Sequence, residues 1–390
     1  MSGRSTAPST RVDVLLSVGY DPDVRVRRIT QALAAAGCSV RVLAWDRDGT
    51  RPRAEDDGPV RIRRVAVRSR WGRGWTQVVA LPRVFVHYLS AVRRRRPDVL
   101  HAVDLPMLVA AVLIAPFAGR PRIVYDAFEI YRVMVSNRLP APLLAVIGLL
   151  ERRLPRRADL VITPSEARRR YFNGLGIEST CVPNWIDPPA APISRDAARA
   201  RLAIPGGVFC VAYAGALNPA RDLDALLRHA RRRPDHLVII AGAGSEERRL
   251  HSAAADLPNV RVAGWLRDPS NLLAAADAMF YALRLNHPYA TLAAPNNLYA
   301  AIAHNVPLAY REQGELAEVG GQHEIGVAFD DDQSLDAALD QLADPTVNAR
   351  IRTALRALAG DYRWAAAADR LVRAYPMKGS EETSATPSGA

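Results

Sequence analysis

Short runs rich in Val, Ile and Leu alternate with amphipathic stretches along almost the whole chain, and they do so in two successive series. The strand-like runs of the first half are 12–18, 40–45, 60–67, 99–102, 123–125 and 160–163, with helical patterns such as 26–36 and 76–95 between most of them. Those of the second half are 208–214, 237–241, 260–263, 278–282 and 306–310, again separated by helical patterns. Alternation of this kind predicts parallel sheets covered by helices on both faces. Between the two series lies VPNWIDPPAAPIS, 182–194, where four prolines and an Asp-Pro step stop regular structure. The expected fold class is α/β, as two doubly wound parallel-sheet domains that face a cleft, with the boundary at about Asp187. Ligands of such sheets bind at the carboxyl ends of the strands. The Ser-, Thr-, Pro- and Gly-rich ends, 1–10 and 378–390, read as disordered tails.

A chain of 390 residues, 49% of them hydrophobic, is too long for one ordinary core and has ample apolar material for two. Cys38, Cys181 and Cys210 stand apart with no CxxC pair, which argues against zinc ribbons and disulfide scaffolds and fits a reducing compartment. The net charge of +12 is carried by arginine, for the sole lysine is Lys378. That excludes a Schiff-base or P-loop lysine from the folded part. No nucleic-acid motif accompanies the charge, and RRRR at 93–96 reads as a solvated helix end, so no nucleic-acid partner is expected.

No apolar stretch opens the chain, so the expected location is cytoplasmic. The apolar run 105–118 falls short of the ~20 residues of a membrane span and reads as a buried helix. The run 143–150, followed by RRLPRR, reads as a core helix with a solvated basic end. Peripheral contact with the cytoplasmic face of a membrane is the alternative for that segment.

Isolated motifs say little. AGAGSEE, 241–247, places Gly242 and Gly244 between a strand and a helix but lacks the third glycine of a dinucleotide fingerprint. Asp21-Pro22-Asp23, Asp46-Arg47-Asp48 and Asp222-Leu223-Asp224 spell D-x-D, as an Arg- and Asp-rich chain does by chance. No histidine pair has H-E-x-x-H spacing and there is no G-x-S-x-G elbow, so neither a catalytic metal nor acyl hydrolysis is expected.

The motifs gain meaning as an ordered series. Asp23-Val24-Arg25-Val26-Arg27-Arg28 leads into ALAAAGCSVRVLAW; PDVLHAVDLP carries His101 and Asp104; RIVYDAFEIY carries Asp126 and Glu129. ADLVITPSE and VPNWID follow, then YAGALNPARDLDALL with Gly215 and Arg221, AGAGSEE, NVRVAGWL, and PNNLYAAIAHNVP at 295–307. In this order, over 11–376, the chain resembles retaining, family-4-like glycosyltransferases of the GT-B type. It departs from their pattern where Val103 and Phe128 replace histidines, Asn297 replaces a lysine that contacts donor phosphate, and Ala300 replaces a glutamate that holds the ribose hydroxyls. Leu292 stands where a second glutamate is common.

The resemblance implies two Rossmann-like domains: an acceptor-binding domain over 11–187, a nucleotide-sugar-binding domain over 188–361, and a helix over 362–377 crossing back to the first. It implies transfer of a sugar from a nucleotide-sugar donor to a small-molecule or lipid-linked acceptor. Retention of anomeric configuration, and independence of metal and of any further cofactor, are expected with it. By the same resemblance His101, Asp126 and Glu129 are the catalytic candidates. Gly215, Arg221, Asn296 and Asn297 would bind donor phosphate; Gly242, Gly244, Trp265, Tyr299 and Ala300 the nucleoside; Asp23, Arg25 and Asp104 the acceptor side. The altered positions leave two alternatives: a GT-B protein that has lost sugar transfer and serves another coupling reaction or a partner subunit, or an epimerase on the same fold.

Overall fold

The fold is that of a computed structural model describing residues 9–21, 23–69, 74–136, 139–285 and 287–378. Most of both tails read as disordered lies outside these residues. The chain divides into unit 1, formed by the residues up to Pro183 together with those from Ala368, and unit 2, Asn184–Ala367.

Unit 1 runs through β1 (Arg11–Leu15), α1 (Val24–Ala35), β2 (Ser39–Asp46), β3 (Ala54–Asp57), β4 (Val60–Ala66), α2 (Gly74–Arg95) and β5 (Val99–Val103). It continues with α3 (Asp104–Ile114), β6 (Arg122–Asp126), α4 (Tyr131–Met134), α5 (Ala141–Arg153), β7 (Leu160–Thr163), α6 (Glu166–Gly174) and β8 (Thr180–Cys181). The sheet order is β3-β4-β2-β1-β5-β6-β7-β8. Its neighbours are parallel except β3 and β4, which form an antiparallel hairpin. The expectation of a purely parallel sheet is corrected there: residues 54–57, AEDD, carry no apolar signal and are held at the edge by the ladder to β4 and by polar side-chain bonds such as Arg27 to Asp57 and Arg64 to Glu55. The strands read from sequence otherwise recur within a few residues, with β8 an addition of two residues.

Local chemistry accounts for the elements. Asp23 caps α1 by accepting from the Val26 amide at 3.1 Å. Val26, Ile29, Thr30 and Leu33 then face inward at helical spacing. β5 is buried on both faces, so Leu100 and Ala102 join the core beneath α2 and α3 while His101 points to the opposite side. The run 105–118 is the buried helix expected, as α3 and a following short turn. The run 143–150 is a helix but not a core helix: Leu143, Val146 and Leu149 are each half exposed, while Gly148 and Glu151 face inward. The ends of the described chain are also fixed, because Lys378 N donates to Thr10 Oγ1 at 3.0 Å and Ser9 Oγ to Gly37 O at 2.7 Å.

Unit 2 comprises α7 (Arg195–Arg201), β9 (Phe209–Ala214), α8 (Leu223–Arg232), β10 (His236–Ala241), α9 (Glu247–Ala254), β11 (Val260–Gly264), α10 (Ser270–Ala275) and β12 (Ala278–Tyr281). There follow α11 (Asn296–His304), β13 (Leu308–Tyr310), α12 (Glu315–Gly320), β14 (Gly326–Ala328), α13 (Asp332–Ala343), α14 (Pro345–Leu358) and α15 (Trp364–Ala374). The sheet β11-β10-β9-β12-β13-β14 is parallel throughout, and one apolar core fills both of its faces. α15 straddles the division, with Trp364–Ala367 in unit 2 and Ala368–Ala374 in unit 1.

Candidate functional site

In unit 2 the strand order reverses between β9 and β12, the point at which a doubly wound sheet opens a ligand crevice. Past β9 the chain turns at Gly215, where a Cβ would come within 3.0 Å of the Tyr213 hydroxyl. The loop after β10 lies on this turn: a Cβ on Gly242 would sit 1.8 Å from the Gly215 carbonyl oxygen, and one on Gly244 2.1 Å from that of Leu217. Gly215 N donates to Ala241 O at 3.0 Å and Leu217 N to Ala243 O at 2.9 Å, which locks the crossing. Glycine is required here by close backbone approach. Gly242 N also donates to Gly264 O at 2.8 Å, and the next residue, Trp265, leaves 57% of its surface exposed.

Arg221 is carried to the end of β12 by a short antiparallel bridge to Leu283. Asp222 N donates to Ala282 O at 3.0 Å and Arg284 N to Ala220 O at 2.9 Å on either side of it. The Arg221 guanidinium lies over the Tyr281 ring, 4.8 Å from its centroid, and donates to the Tyr281 hydroxyl. Burial pushes the nearby Tyr213 hydroxyl up to about 12, against the opposing charge of Arg221. Burial and that same charge hold His287 below the ordinary imidazole range.

α11 begins after Pro295 with no side chain capping its first turn, so its leading N–H groups and positive dipole end are presented beside the Gly215 turn. Asn297 fixes that placement by donating Nδ2 to Ala214 O at 2.9 Å. The buried amide braces α11 against β9. Asn296 is exposed, and Ala300, one turn on, shares its face of the helix. Tyr299 is 1% exposed and packs in the core, its ring 6.1 Å from that of Tyr362.

In unit 1 the polar residues gather at the carboxyl ends of β1, β5 and β6, again where strand order reverses. Arg25 grips Asp126, with Nη2 to Oδ1 at 2.9 Å and Nε to Oδ2 at 3.0 Å, and Nη1 donates to Val182 O at 2.8 Å. His101 is fully buried; its Nδ1 meets Tyr375 Oη at 3.2 Å and its Nε2 lies 3.9 Å from Asp126 Oδ2. Burial alone would push the Asp126 carboxyl up, but Arg25 and His101 outweigh it and hold it below the usual range. His101, Asp126 and Arg25 thus form an internal network under the strand ends. All three side chains are almost wholly buried.

Asp23, Asp104 and Glu129 surround this network and are each partly accessible. Asp104 opens α3 with φ of 64°, a conformation rare outside glycine, and its Oδ1 accepts from Glu129 N at 3.0 Å. Burial, with the Glu129, Asp126 and Asp23 carboxylates nearby, pushes the Asp104 carboxyl well above its ordinary value. Burial and Asp126 raise Asp23 likewise. Arg168 on α6 donates to Phe128 O and, at 3.2 Å, to Glu129 Oε2. The sequence reading missed Arg168, Tyr213, Tyr281 and Tyr375. Tyr281 ends a strand already recognised as such, whereas Arg168 and Tyr375 reach their partners from elements remote in sequence. Among the described residues no group of three or more His, Cys, Asp or Glu side chains is arranged to hold a metal ion.

Two doubly wound units, each with polar residues collected at its switch point, define the GT-B class of fold. Residues 22–185 match the family model "Glycosyl transferase 4-like domain" and residues 209–344 match "Glycosyl transferases group 1". The chain belongs to the family-4-like GT-B glycosyltransferases. Solved structures agree in fold. Sucrose-phosphate synthase (tll1590) from Thermosynechococcus elongatus aligns with a TM-score of 0.73 at 18% identity, over 93% of this chain and 97% of its own. WaaG, a glycosyltransferase involved in lipopolysaccharide biosynthesis, aligns at 0.70 and 15% identity, over 92% and 98%. Anabaena Alr3699/HepE, solved in complex with UDP-glucose, aligns at 0.68 and 17% identity, over 92% and 98%. No curated protein matches the chain by sequence.

Proposed function

We propose that this glycosyltransferase takes its sugar from a nucleotide-sugar donor bound by unit 2. The observation that carries the reading is that the β9/β12 switch point collects Arg221, held at the end of β12, and the uncapped start of α11, held at the end of β9 through Asn297. As the bond from sugar to diphosphate breaks, its electron pair and the growing negative charge move to the phosphate oxygens. A guanidinium with two parallel donors and a helix N-terminus are the groups that stabilise such charge. They supply positive charge of the kind a divalent ion brings elsewhere, which supports transfer without metal. The glycine crossing of Gly215, Gly242 and Gly244 keeps side chains out of the phosphate path, and exposed Trp265 offers a ring for a base to stack on. HepE, similar in fold, is known with UDP-glucose bound, and the donor class is extended from it to this chain.

Unit 1 takes the acceptor in this reading, with Asp23, Asp104 and Glu129 as the accessible oxygens for a sugar or hydroxyl. His101 and Asp126 are closed off by burial, so neither is a nucleophile, in keeping with retention by front-face attack. The test is a thermal-shift and calorimetric screen against UDP, GDP, TDP and their sugars, since a ligand of the native state raises its melting point. A saturable shift with one nucleotide series is expected. No response to any of them at millimolar concentration overturns the donor assignment.

A further inference from the structure

We propose that the segment 311–315, REQGE, is a positioning brace that sets the spacing between Arg221 and the start of α11, and so decides how tightly unit 2 holds a diphosphate. On the donor assignment above, on which this inference rests, these residues act through those two elements and not on the ligand. The segment leaves β13 beside Tyr281, since Arg311 N donates to Tyr281 O at 3.2 Å. Arg221 pairs with Leu283 through an isolated antiparallel bridge, whose two flanking bonds are donated by Asp222 N and Arg284 N. In a pair of that kind the N–H and C=O of Leu283 itself point away from Arg221. Side chains of the brace take them. Gln313 Oε1 accepts from Leu283 N at 2.9 Å, while Gln313 Nε2, at 3.3 Å, and Arg311 Nη1 donate to Leu283 O. Arg311 Nη1 also donates to Asp222 Oδ2 at 3.0 Å, and so touches both sides of the bridge. Arg311, Gln313 and Asp222 are all buried.

The other end of the brace lies on the approach to α11. Glu315 N donates to Ala293 O at 2.9 Å. Gly314 has a φ of 54°, and a Cβ there would lie 2.4 Å from Ala293 O and 2.7 Å from Ala293 N, so the two backbones are in direct contact. Ala293 stands two residues before Pro295, after which α11 begins. One run of five residues therefore fixes Leu283 at one end and Ala293 at the other. The first is paired with the residue that carries the cation, and the second leads into the helix N–H groups. A buried N–H or C=O left without a partner is costly, so loss of the Gln313 amide loosens Leu283 and, through the bridge, Arg221. Charge stabilisation depends on donors already held in place when the ligand arrives, and a displacement of about 1 Å is enough to be felt.

The test is calorimetric titration of the full chain with UDP, GDP and TDP, each beside its nucleoside. Gln313→Ala should weaken diphosphate binding roughly three- to tenfold and leave nucleoside binding within about twofold, because Arg221 serves the phosphates in that assignment. A general loss of packing would lower both together. In an Arg221→Ala background the same change should cost less than about twofold, since the arginine it positions is gone. Gly314→Ala, which presses on Ala293, should weaken the diphosphate in both backgrounds. Gln313→Met fills the same space without either hydrogen bond; it replaces Gln313→Ala should that variant fold poorly, with the same expected loss. Wild-type diphosphate affinity in the Gln313 variants or in Gly314→Ala overturns the brace. So does an equal loss of nucleoside affinity, or an undiminished effect of Gln313→Ala in the Arg221→Ala background. Each of these leaves the donor assignment standing. Wild-type diphosphate affinity in Arg221→Ala, or no binding of any of the three nucleotides by wild type, overturns both.

Discussion

Arg221 and Tyr281 meet at the end of β12, the guanidinium stacked on the ring and hydrogen-bonded to its hydroxyl. The tyrosine is fully buried, so it fixes the plane of the arginine and lowers the ordering needed when a diphosphate arrives. Arg221→Ala should weaken nucleotide-diphosphate binding by roughly tenfold or more, in line with ~1.5–3 kcal/mol for a hydrogen bond to a charged group. Tyr281→Phe keeps the ring and removes the bond, and should give a smaller loss. Calorimetric titration measures both. Wild-type affinity in Arg221→Ala removes Arg221 from the donor site.

The ribose presents a separate case. Ala300 offers no acceptor to its hydroxyls, and with Tyr299 in the core the nearest polar side chain on the same face is Asn296. Wild type is expected to bind ribonucleotides more tightly than their 2′-deoxy forms, and Asn296→Ala should erase most of that difference. Ala300→Glu should increase ribonucleotide affinity. Equal binding of ribo and deoxy forms by wild type assigns the ribose contact to neither residue.

Turnover should persist in excess EDTA, because in the proposed donor site Arg221 and the start of α11 supply the positive charge. An assay of sugar transfer or donor hydrolysis decides it. Complete loss restored by magnesium or manganese would establish a required metal.

Arg25 and Asp126 are both buried, and their pairing holds α1 to the end of β6. Removing one partner of a buried ion pair leaves the other uncompensated, a loss of roughly 3–5 kcal/mol. Asp126→Asn should therefore lower stability strongly, and the pair Arg25→Met, Asp126→Leu should lower it less than the single change. Denaturant titration reads both, and a cost below about 1 kcal/mol for Asp126→Asn contradicts the network.

A histidine chain in unit 2 predicts a pH dependence. Arg233 Nη2 donates to His236 Nε2 at 3.0 Å, His236 Nδ1 meets His229 Nε2 at 3.1 Å, and His229 Nδ1 meets Asp336 Oδ1 at 2.6 Å. Burial first, then the Arg233 and His229 charges, lower His236 from 6.5 to about 4 against the pull of Asp235 and Asp336. Between these values the unfolded chain binds more protons than the native one, so stability from this group falls as pH drops from 6.5 toward 4. The difference in melting point between wild type and His236→Gln should shrink over that window. A constant difference excludes His236 as the titrating group.

The alternation of apolar runs was enough to read two doubly wound domains, because a strand buried on both faces must be continuously apolar and the helix joining it to the next must be amphipathic. β3 escaped that reading since AEDD is held by an edge ladder to β4 and buries almost nothing. The sequence also placed Gly215, Gly242, Gly244 and Arg221 near strand ends, where local spacing suffices. Tertiary structure alone decided what each polar side chain is free to do. His101 and Asp126 look catalytic in a linear motif, yet Tyr375 arrives from 274 residues away and Arg25 from 101 to enclose them. Asn297 reads as a phosphate donor from sequence, and only the fold shows its amide on the Ala214 carbonyl. Leu143, Val146 and Leu149 resemble core until Glu151 and Gly148 are found on the inner side of the same helix. Periodicity records which residues share a face, but burial depends on which face its neighbours cover, and those neighbours lie far away along the chain.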